Sequence, residues 1–489
     1  MSVSLKSLPL VVACLTAGTA AAAAAQDTSG GTIRPDRATL DARVDSIVQV
    51  DVLAQGMPSV SVVVTRGKET LVERAWGLAD VASGRKAEPS TTYEVASVSK
   101  QFTAALVLKL VDRGRLSLGD TLGRFFDGLK PEFDGITVEQ LLNHTSGLKG
   151  DFRGPPEQIR ARPITRDSLV ALAARDTLAA RPGTKFLYSN TGYMLAAAII
   201  EKVSGKSFAE ALRDEITRPL GLKSLARCTT DKSGGAQSYV RSAQEKPRLV
   251  SSYHPSVTLG NGGICTTAGD LARWNHALHG GRVLSEASYR AMTTPRGAAA
   301  IAGNYGLGLY VRPEPWGRQV ILHGGTTAGY SAANLWYPAD SISVTVLYNG
   351  VPQVPVNVAA MIAQLAHGLT PAPRRVVAQA PAPAAGPVVT VESTPAAAAP
   401  AGAAKFVGEY EAVPGVVFAV TLENGILFNT PPARLGSPKQ HLVHKAGTSF
   451  HPGGNESMML TFVLDANGEV TGFVARGGNG TERTLRKVR

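Results

Sequence analysis

A chain of 489 residues, 44% hydrophobic and 18% charged, has ample apolar material for a large core, and its length suggests two or three domains. The net charge of +12 comes from scattered Lys and Arg. No basic block is interleaved with aromatics and no reader motif is visible, which argues against a nucleic-acid partner; the balance suits a protein beside anionic envelope polymers.

In chain order, the first residues comprise a short region carrying Lys6, an apolar run, and small residues before Gln26. This reads as a secretory signal peptide over 1–25, cleaved after Ala25, and predicts a periplasmic or secreted protein. The run is Ala-rich and no other stretch is apolar for the ~20 residues a span needs, so no stable membrane span is expected. Val11-Val12-Ala13-Cys14 loosely resembles a lipoprotein cleavage box, but it lies early, with more apolar chain behind it. Export removes Cys14 and leaves Cys228 and Cys265, a disulfide candidate in an oxidising compartment, with two buried thiols as the alternative.

Leu40, Val44, Ile47 and Val48 recur at helical spacing before Gly56. Val60, Val62 and Val64 then alternate, a turn follows at Arg66-Gly67-Lys68, and a second run ends at Trp76-Gly77, which predicts a β-hairpin. From about 98 to 300 the patterns are mostly helical and loop-rich. Strands return with "YGLGLYV", "QVILHGG", "SAANLWYP" and "SISVTVLYN", and "VNVAAMIAQLAHGL" is helical. Strands at both ends of a helical middle define an α+β class, with one antiparallel sheet flanked by helices and a helical lobe inserted. Residues 371–404 are nearly all Pro, Ala and Val and read as an extended linker. Residues 405–489 carry alternating runs and hairpin signals at Asn424-Gly425 and Asn467-Gly468, so a small all-β domain, barrel or sandwich, is expected there.

A serine three residues before a lysine occurs at Ser83/Lys86, Ser97/Lys100 and Ser146/Lys149. Ser83 sits in a loop and Ser146 is followed at once by Gly147. Ser97 opens a good helix, with Phe102, Ala105, Leu106 and Leu110 on one side and Gly114 past the end. There residues i and i+3 share a face, which puts the Lys100 amine beside the Ser97 hydroxyl; Ser99 points about 100° away. Unpaired N–H groups at a helix start can stabilise the oxyanion formed when a serine attacks a carbonyl. "PGTKFLYSNTGY" places Tyr188-Ser189-Asn190 before another apolar helix, and "ILHGGTTAGYSA" places His323-Gly324-Gly325 at the end of a strand, where missing side chains let a substrate backbone lie close.

These three elements resemble the set shared by serine β-lactamases and penicillin-binding proteins. The chain is identified as a member of that superfamily, which includes D-alanyl-D-alanine carboxypeptidases, on the branch resembling class C enzymes. The resemblance spans about 39–370, and "YEVASVSKQFTA", "LLNHTSGL", "YSNTGY" and "NGGICTTAGDLARW" carry it. It implies Ser97 as the acylated nucleophile, Lys100 as its activating partner, Tyr188 as general base and acid, and Asn190 as a ligand of Lys100 and the substrate amide. The oxyanion hole it implies is formed by the N–H groups of Ser97 and Thr326, beside His323, Gly324 and Gly325. "LLNHTSGL" and "NGGICTTAGDLARW" read as architectural, with Thr267 and Asp270 forming a capping box and His144 a packed structural histidine.

His323 departs from the family pattern, standing where β-lactamases carry a lysine. An imidazole of pKa ~6.5 is mostly neutral at pH 7, so weak β-lactam hydrolysis is expected, with better use of carboxylate-bearing substrates as pH falls toward 6. The implied function is an exported serine hydrolase acting through an acyl-enzyme on D-alanyl or other D-amino-acid peptides or small esters, with cell-wall peptidoglycan a possible partner. The alternative is a penicillin-recognising sensor that acylates slowly without efficient turnover. No cofactor is implied. The nine histidines show no metal-ligand pattern, and His441 and His444 lack a visible third ligand, so no metal is expected.

Overall fold

The computed structural model describes residues 35–150, 163–231, 234–240, 247–251, 253–351, 355–371, 399–400, 402–413, 416–430, 440–452, 459–476 and 482–488. The expected signal peptide and most of the expected linker lie outside these residues.

Val60, Val62 and Val64 pair antiparallel with Tyr348, Val346 and Val344. Period-two alternation in both strands thus converges on one face of the sheet. There the side chains are buried with Leu40, Val44 and Val48 of the Arg37–Val48 helix and with Val358, Ile362 and Ala366 of the Pro355–Ala366 helix. The antiparallel sheet runs, edge to edge, through Arg85–Lys86, Glu69–Asp80, Ser59–Arg66, Ile342–Tyr348, Tyr330–Tyr337, Gln319–Thr327 and Tyr310–Pro313. Val63, Ala332, Trp336 and Leu347 belong to a second core, shared with Leu271 and Trp274 of the Ala268–His279 helix and with the helical lobe. In that lobe the helices Lys100–Asp112 and Asn190–Ser204 pack on each other.

Two local expectations are corrected. "YGLGLYV" becomes strand only from Tyr310. Gly308 has φ +80, and a Cβ there would lie 2.9 Å from the Lys100 carbonyl oxygen, so this segment is a close-packed turn against the Lys100 helix. At the other site, Thr267 accepts a hydrogen bond from the Asp270 N–H at 3.1 Å, but the Asp270 carboxylate does not complete a capping box. It instead accepts from Ser224 N–H (2.6 Å), Ser224 Oγ (2.5 Å) and Arg273 (2.6 Å).

Three short strands, Tyr93–Glu94, Ile264–Thr266 and Ala226–Arg227, form a small sheet leading into Ser97. Cys228 and Cys265 are joined by a disulfide there, with Cα atoms 5.0 Å apart. A bridge spanning 37 positions constrains the unfolded chain by roughly 4 kcal/mol on the chain-entropy estimate. The C-terminal all-β region is a closed barrel of eight strands, from Gly408–Val413 to Glu482–Lys487. Phe406, Tyr410, Phe450, Phe462 and Phe473 form its core, so its interior is packed with side chains.

Candidate active site

The Ser97 turn is strained by its own backbone. Ala96 has φ 47, a left-handed conformation that costs a non-glycine residue about 1–3 kcal/mol and persists only where surroundings enforce it. The enforcement is visible: Val95 N–H donates to the Ile264 carbonyl at 2.9 Å, and the small sheet anchors both segments. Ala96–Ser99 is a 3-10 turn, and the α-helix begins at Lys100 rather than at Ser97.

Ser97 is partly exposed and lies 3.0 Å from Lys100 Nζ. Ser99 is buried, and its Oγ accepts from the Ile264 N–H at 3.2 Å. The other two Ser–Lys spacings lead elsewhere. Ser83 donates to Asp80 (2.7 Å), while Lys149 turns from Ser146 to Asp176 (2.6 Å) and Thr177 (2.7 Å).

Lys100 is fully buried, and an ammonium needs three acceptors to tolerate that. It finds Ser97 Oγ at 3.0 Å, Asn190 Oδ1 at 2.7 Å and the Asn261 carbonyl at 2.9 Å. Asn190 opens its helix under a Ser189 N-cap, whose Oγ accepts from the Gly192 N–H. The Tyr188 ring centroid lies 4.8 Å from Lys100 Nζ. Ser97, Lys100, Tyr188 and Asn190 are therefore brought together.

Asn261 was not among the expected site residues, because "NGGICTTAGDLARW" reads as architecture. Its signal is the adjacent Gly260, with φ +71. A Cβ at Gly260 would lie 2.6 Å from the Ala197 Cβ and 2.7 Å from the Tyr193 carbonyl oxygen. Only glycine lets this turn press into the lobe and deliver the Asn261 carbonyl to Lys100.

The strand Gln319–Thr327 closes the site. A Cβ on Gly325 would stand 2.3 Å from the Val95 carbonyl oxygen and 2.9 Å from the Ser97 nitrogen, so the strand lies directly against the turn. Thr326 follows, exposed, near the end of the strand. His323 is only 2% exposed. Its Nδ1 lies 2.6 Å from the Gly324 carbonyl, an acceptor only, so Nδ1 carries the proton. Nε2 is then the acceptor of the Tyr305 hydroxyl at 2.9 Å.

Burial, reinforced by the Lys100 charge, lowers the His323 imidazole to about 3. The expected charging of His323 near pH 6 is thus corrected: a ring enclosed with both nitrogens engaged stays neutral. The same burial lowers His279 to about 3 and holds His144 well below its ordinary 6.5. Unfolded rings take up protons below pH 6.5, whereas these folded ones do not until far lower. The unfolded state is therefore favoured as pH falls through that window, by up to about 1.4 kcal/mol per pH unit for each ring. The thermal midpoint should fall steadily from pH 6.5 to 4.5, and calorimetry across that range checks it. By the same reasoning His323→Lys should destabilise the fold, because it buries an ammonium among Tyr305 and Tyr310.

Among the described residues no group of three or more His, Cys, Asp or Glu is placed to hold a metal ion, and no helix is long and apolar enough to cross a membrane. His444 Nε2 lies 3.1 Å from the Gly447 carbonyl.

The partly exposed Ser97 and the fully buried Lys100 thus meet beside a Tyr-Ser-Asn segment and against an antiparallel sheet, the arrangement expected from the resemblance to serine β-lactamases and penicillin-binding proteins. The beta-lactamase family matches residues 37–368, and the chain belongs to that family, within the superfamily of serine β-lactamases and penicillin-binding proteins. It is 27% identical over 318 residues to Protein flp of Staphylococcus aureus (strain MW2), covering 63% of this chain and 62% of that protein. The D-aminopeptidase of Gluconobacter oxydans (strain 621H) is 27% identical over 320 residues, covering 63% of this chain and 58% of that protein. This chain thus spans about three fifths of the length of these curated relatives. Among solved structures, the D-amino acid amidase from Ochrobactrum anthropi SV3, complexed with D-phenylalanine, is 25% identical with a TM-score of 0.61, covering 67% of this chain and 98% of that one.

Proposed function

We propose that this protein is an exported serine hydrolase that acylates Ser97 with amides, esters or short peptides of D-amino acids and releases them by hydrolysis. The observation that carries the reading is the buried Lys100 Nζ held by Ser97 Oγ, Asn190 Oδ1 and the Asn261 carbonyl. With its three donors engaged, Lys100 serves as a fixed cation that stabilises the alkoxide developing on Ser97. Tyr188, as the phenolate favoured by the Lys100 cation beside its ring, takes the Ser97 proton and passes it to the leaving amine or alcohol, which restores the phenolate. The N–H groups of Ser97 and Thr326 receive the oxyanion, and Asn190 orients the substrate amide. Water reverses the sequence on the acyl-enzyme.

Preference for D-amino-acid derivatives is supported by the similarity to a D-aminopeptidase and a D-amino acid amidase. Preference for amides and esters over β-lactams is supported by the neutral, enclosed His323, which offers no cation to a substrate carboxylate. Losing a charge-assisted hydrogen bond costs roughly 1.5–3 kcal/mol, about tenfold to a hundredfold or slightly more in binding. The Cys228–Cys265 bridge supports a periplasmic or secreted setting.

A panel of D- and L-phenylalanine amides, D-alanyl peptides with free and amidated C-termini, p-nitrophenyl esters and nitrocefin tests this reading. D-amides and esters should be turned over fastest, and nitrocefin at least about tenfold less efficiently. Efficient nitrocefin hydrolysis with no amide or ester turnover would overturn it, and a stable stoichiometric adduct without turnover would favour a sensor. The division into a hydrolase domain over 39–370, a linker over 371–404 and a barrel domain over 405–489 belongs to the same proposal. A chain ending at Leu369 should fold and keep ester hydrolysis within a few-fold, as assayed after size-exclusion chromatography. An aggregated or inactive truncation would make the barrel part of the catalytic unit.

A further inference from the structure

His144 lies outside the Ser97–Lys100–Tyr188–Asn190 group, yet it touches that group more closely than a packing residue needs to. It follows the Val138–Leu142 helix with φ 60, in a turn where Asn143 Oδ1 accepts from the Thr145 N–H at 3.1 Å and Thr145 Oγ1 at 2.6 Å. From there it grips the segment around Tyr188 at two points. Its carbonyl accepts from the Leu187 N–H at 2.8 Å, and its Nδ1 accepts from the Ser189 N–H at 3.0 Å. These bonds fix the backbone on either side of Tyr188. Between them the imidazole lies against the tyrosine ring, with centroids 4.1 Å apart and planes tilted by 38°. The same imidazole packs 4.7 Å from Tyr305, whose hydroxyl meets His323.

The choice of residue is informative. Because Nδ1 accepts, the neutral ring carries its proton on Nε2, and Nε2 is buried with no hydrogen-bond partner among the described residues. A residue needed only to fill space would not carry a polar atom there. A residue needed only to accept the Ser189 N–H could be asparagine, which tolerates a positive φ as histidine does. Histidine supplies an acceptor and a flat plate at once.

We propose that His144 is a positioning residue for Tyr188, clamping the backbone on both sides of it and the face of its ring so that the phenol is held at the Lys100–Ser97 pair. The inference rests on the proposed role of Tyr188 in proton transfer. Burial keeps the ring neutral, so the clamp adds no second positive charge beside Lys100.

A double-mutant cycle on the full-length protein tests this, with the second-order rate of Ser97 acylation by a fluorophosphonate as readout. His144→Asn should slow acylation by about tenfold to a hundredfold, and should lower kcat for a D-amino amide with KM held within about twofold. In the Tyr188→Phe background the same substitution should change the rate by less than about threefold, because the group being positioned is gone. Equal slowing in both backgrounds, or no slowing in either, overturns the inference while leaving the proposed function standing. A harmless Tyr188→Phe overturns the catalytic reading of Tyr188 and the inference with it. If His144→Asn does not yield folded protein by circular dichroism, His144→Gln is carried through the same cycle with the same expected non-additivity.

Discussion

Ser97→Ala is expected to abolish hydrolysis, lowering kcat by roughly 10⁴ to 10⁶. The partly exposed hydroxyl is the atom that Lys100 addresses, and a methyl group in its place offers no nucleophile. Ser99→Ala should behave in the opposite way. The buried Ser99 Oγ accepts the Ile264 N–H, so its removal leaves a donor unsatisfied and costs about 1–3 kcal/mol of stability. Turnover should stay within a few-fold. Steady-state kinetics and thermal melts on the two variants measure both effects, and an active Ser97→Ala would remove the nucleophile assignment.

Gly325→Ala is expected to cost about 10² to 10³ in kcat/KM. The new Cβ would stand 2.3 Å from the Val95 carbonyl oxygen and 2.9 Å from the Ser97 nitrogen. Both are backbone atoms of an anchored turn, so the strand must retreat and carry the Thr326 N–H away from the Ser97 N–H. Loss of a single oxyanion donor costs about 10² to 10³, and a displacement of about 1 Å has a comparable effect. Gly324→Ala is the control, because its Cβ meets a side-chain methyl, the Val356 Cγ2 at 2.9 Å, and not the backbone of the Ser97 turn. Gly324→Ala should keep activity within about fivefold. If Gly325→Ala did the same, the strand would not be part of an oxyanion site.

Much of this architecture is legible in the sequence where one periodicity dominates. Val60/Val62/Val64 and Ile342/Val344/Val346/Tyr348 announce the two central strands because each buries an apolar face, and their pairing follows from that shared need. The Ser97–Lys100 pair is legible because i,i+3 geometry survives the change from an expected α-helical turn to a 3-10 turn. The strands Tyr93–Glu94, Ile264–Thr266 and Ala226–Arg227 are too short to show a period, so the device that strains Ala96 is hidden. Asn261 contributes a main-chain carbonyl, which no side-chain motif can advertise. The electrostatics of His323 are hidden for a different reason. Its neutrality comes from burial beside Lys100, Tyr305 and Tyr310, side chains that lie 223, 18 and 13 positions away in the chain and meet only when the sheet and lobe assemble.

The most direct measurement is rapid mixing with a D-phenylalanine p-nitrophenyl ester, acid quenching and peptide mapping by mass spectrometry. A burst of one p-nitrophenol per protein should accompany a D-phenylalanyl mass on the peptide containing Ser97, at its hydroxyl, and the mass should decay at the rate of turnover. An adduct on Ser99, or full turnover with no acyl group on Ser97 at any time point, would contradict the acyl-enzyme assignment.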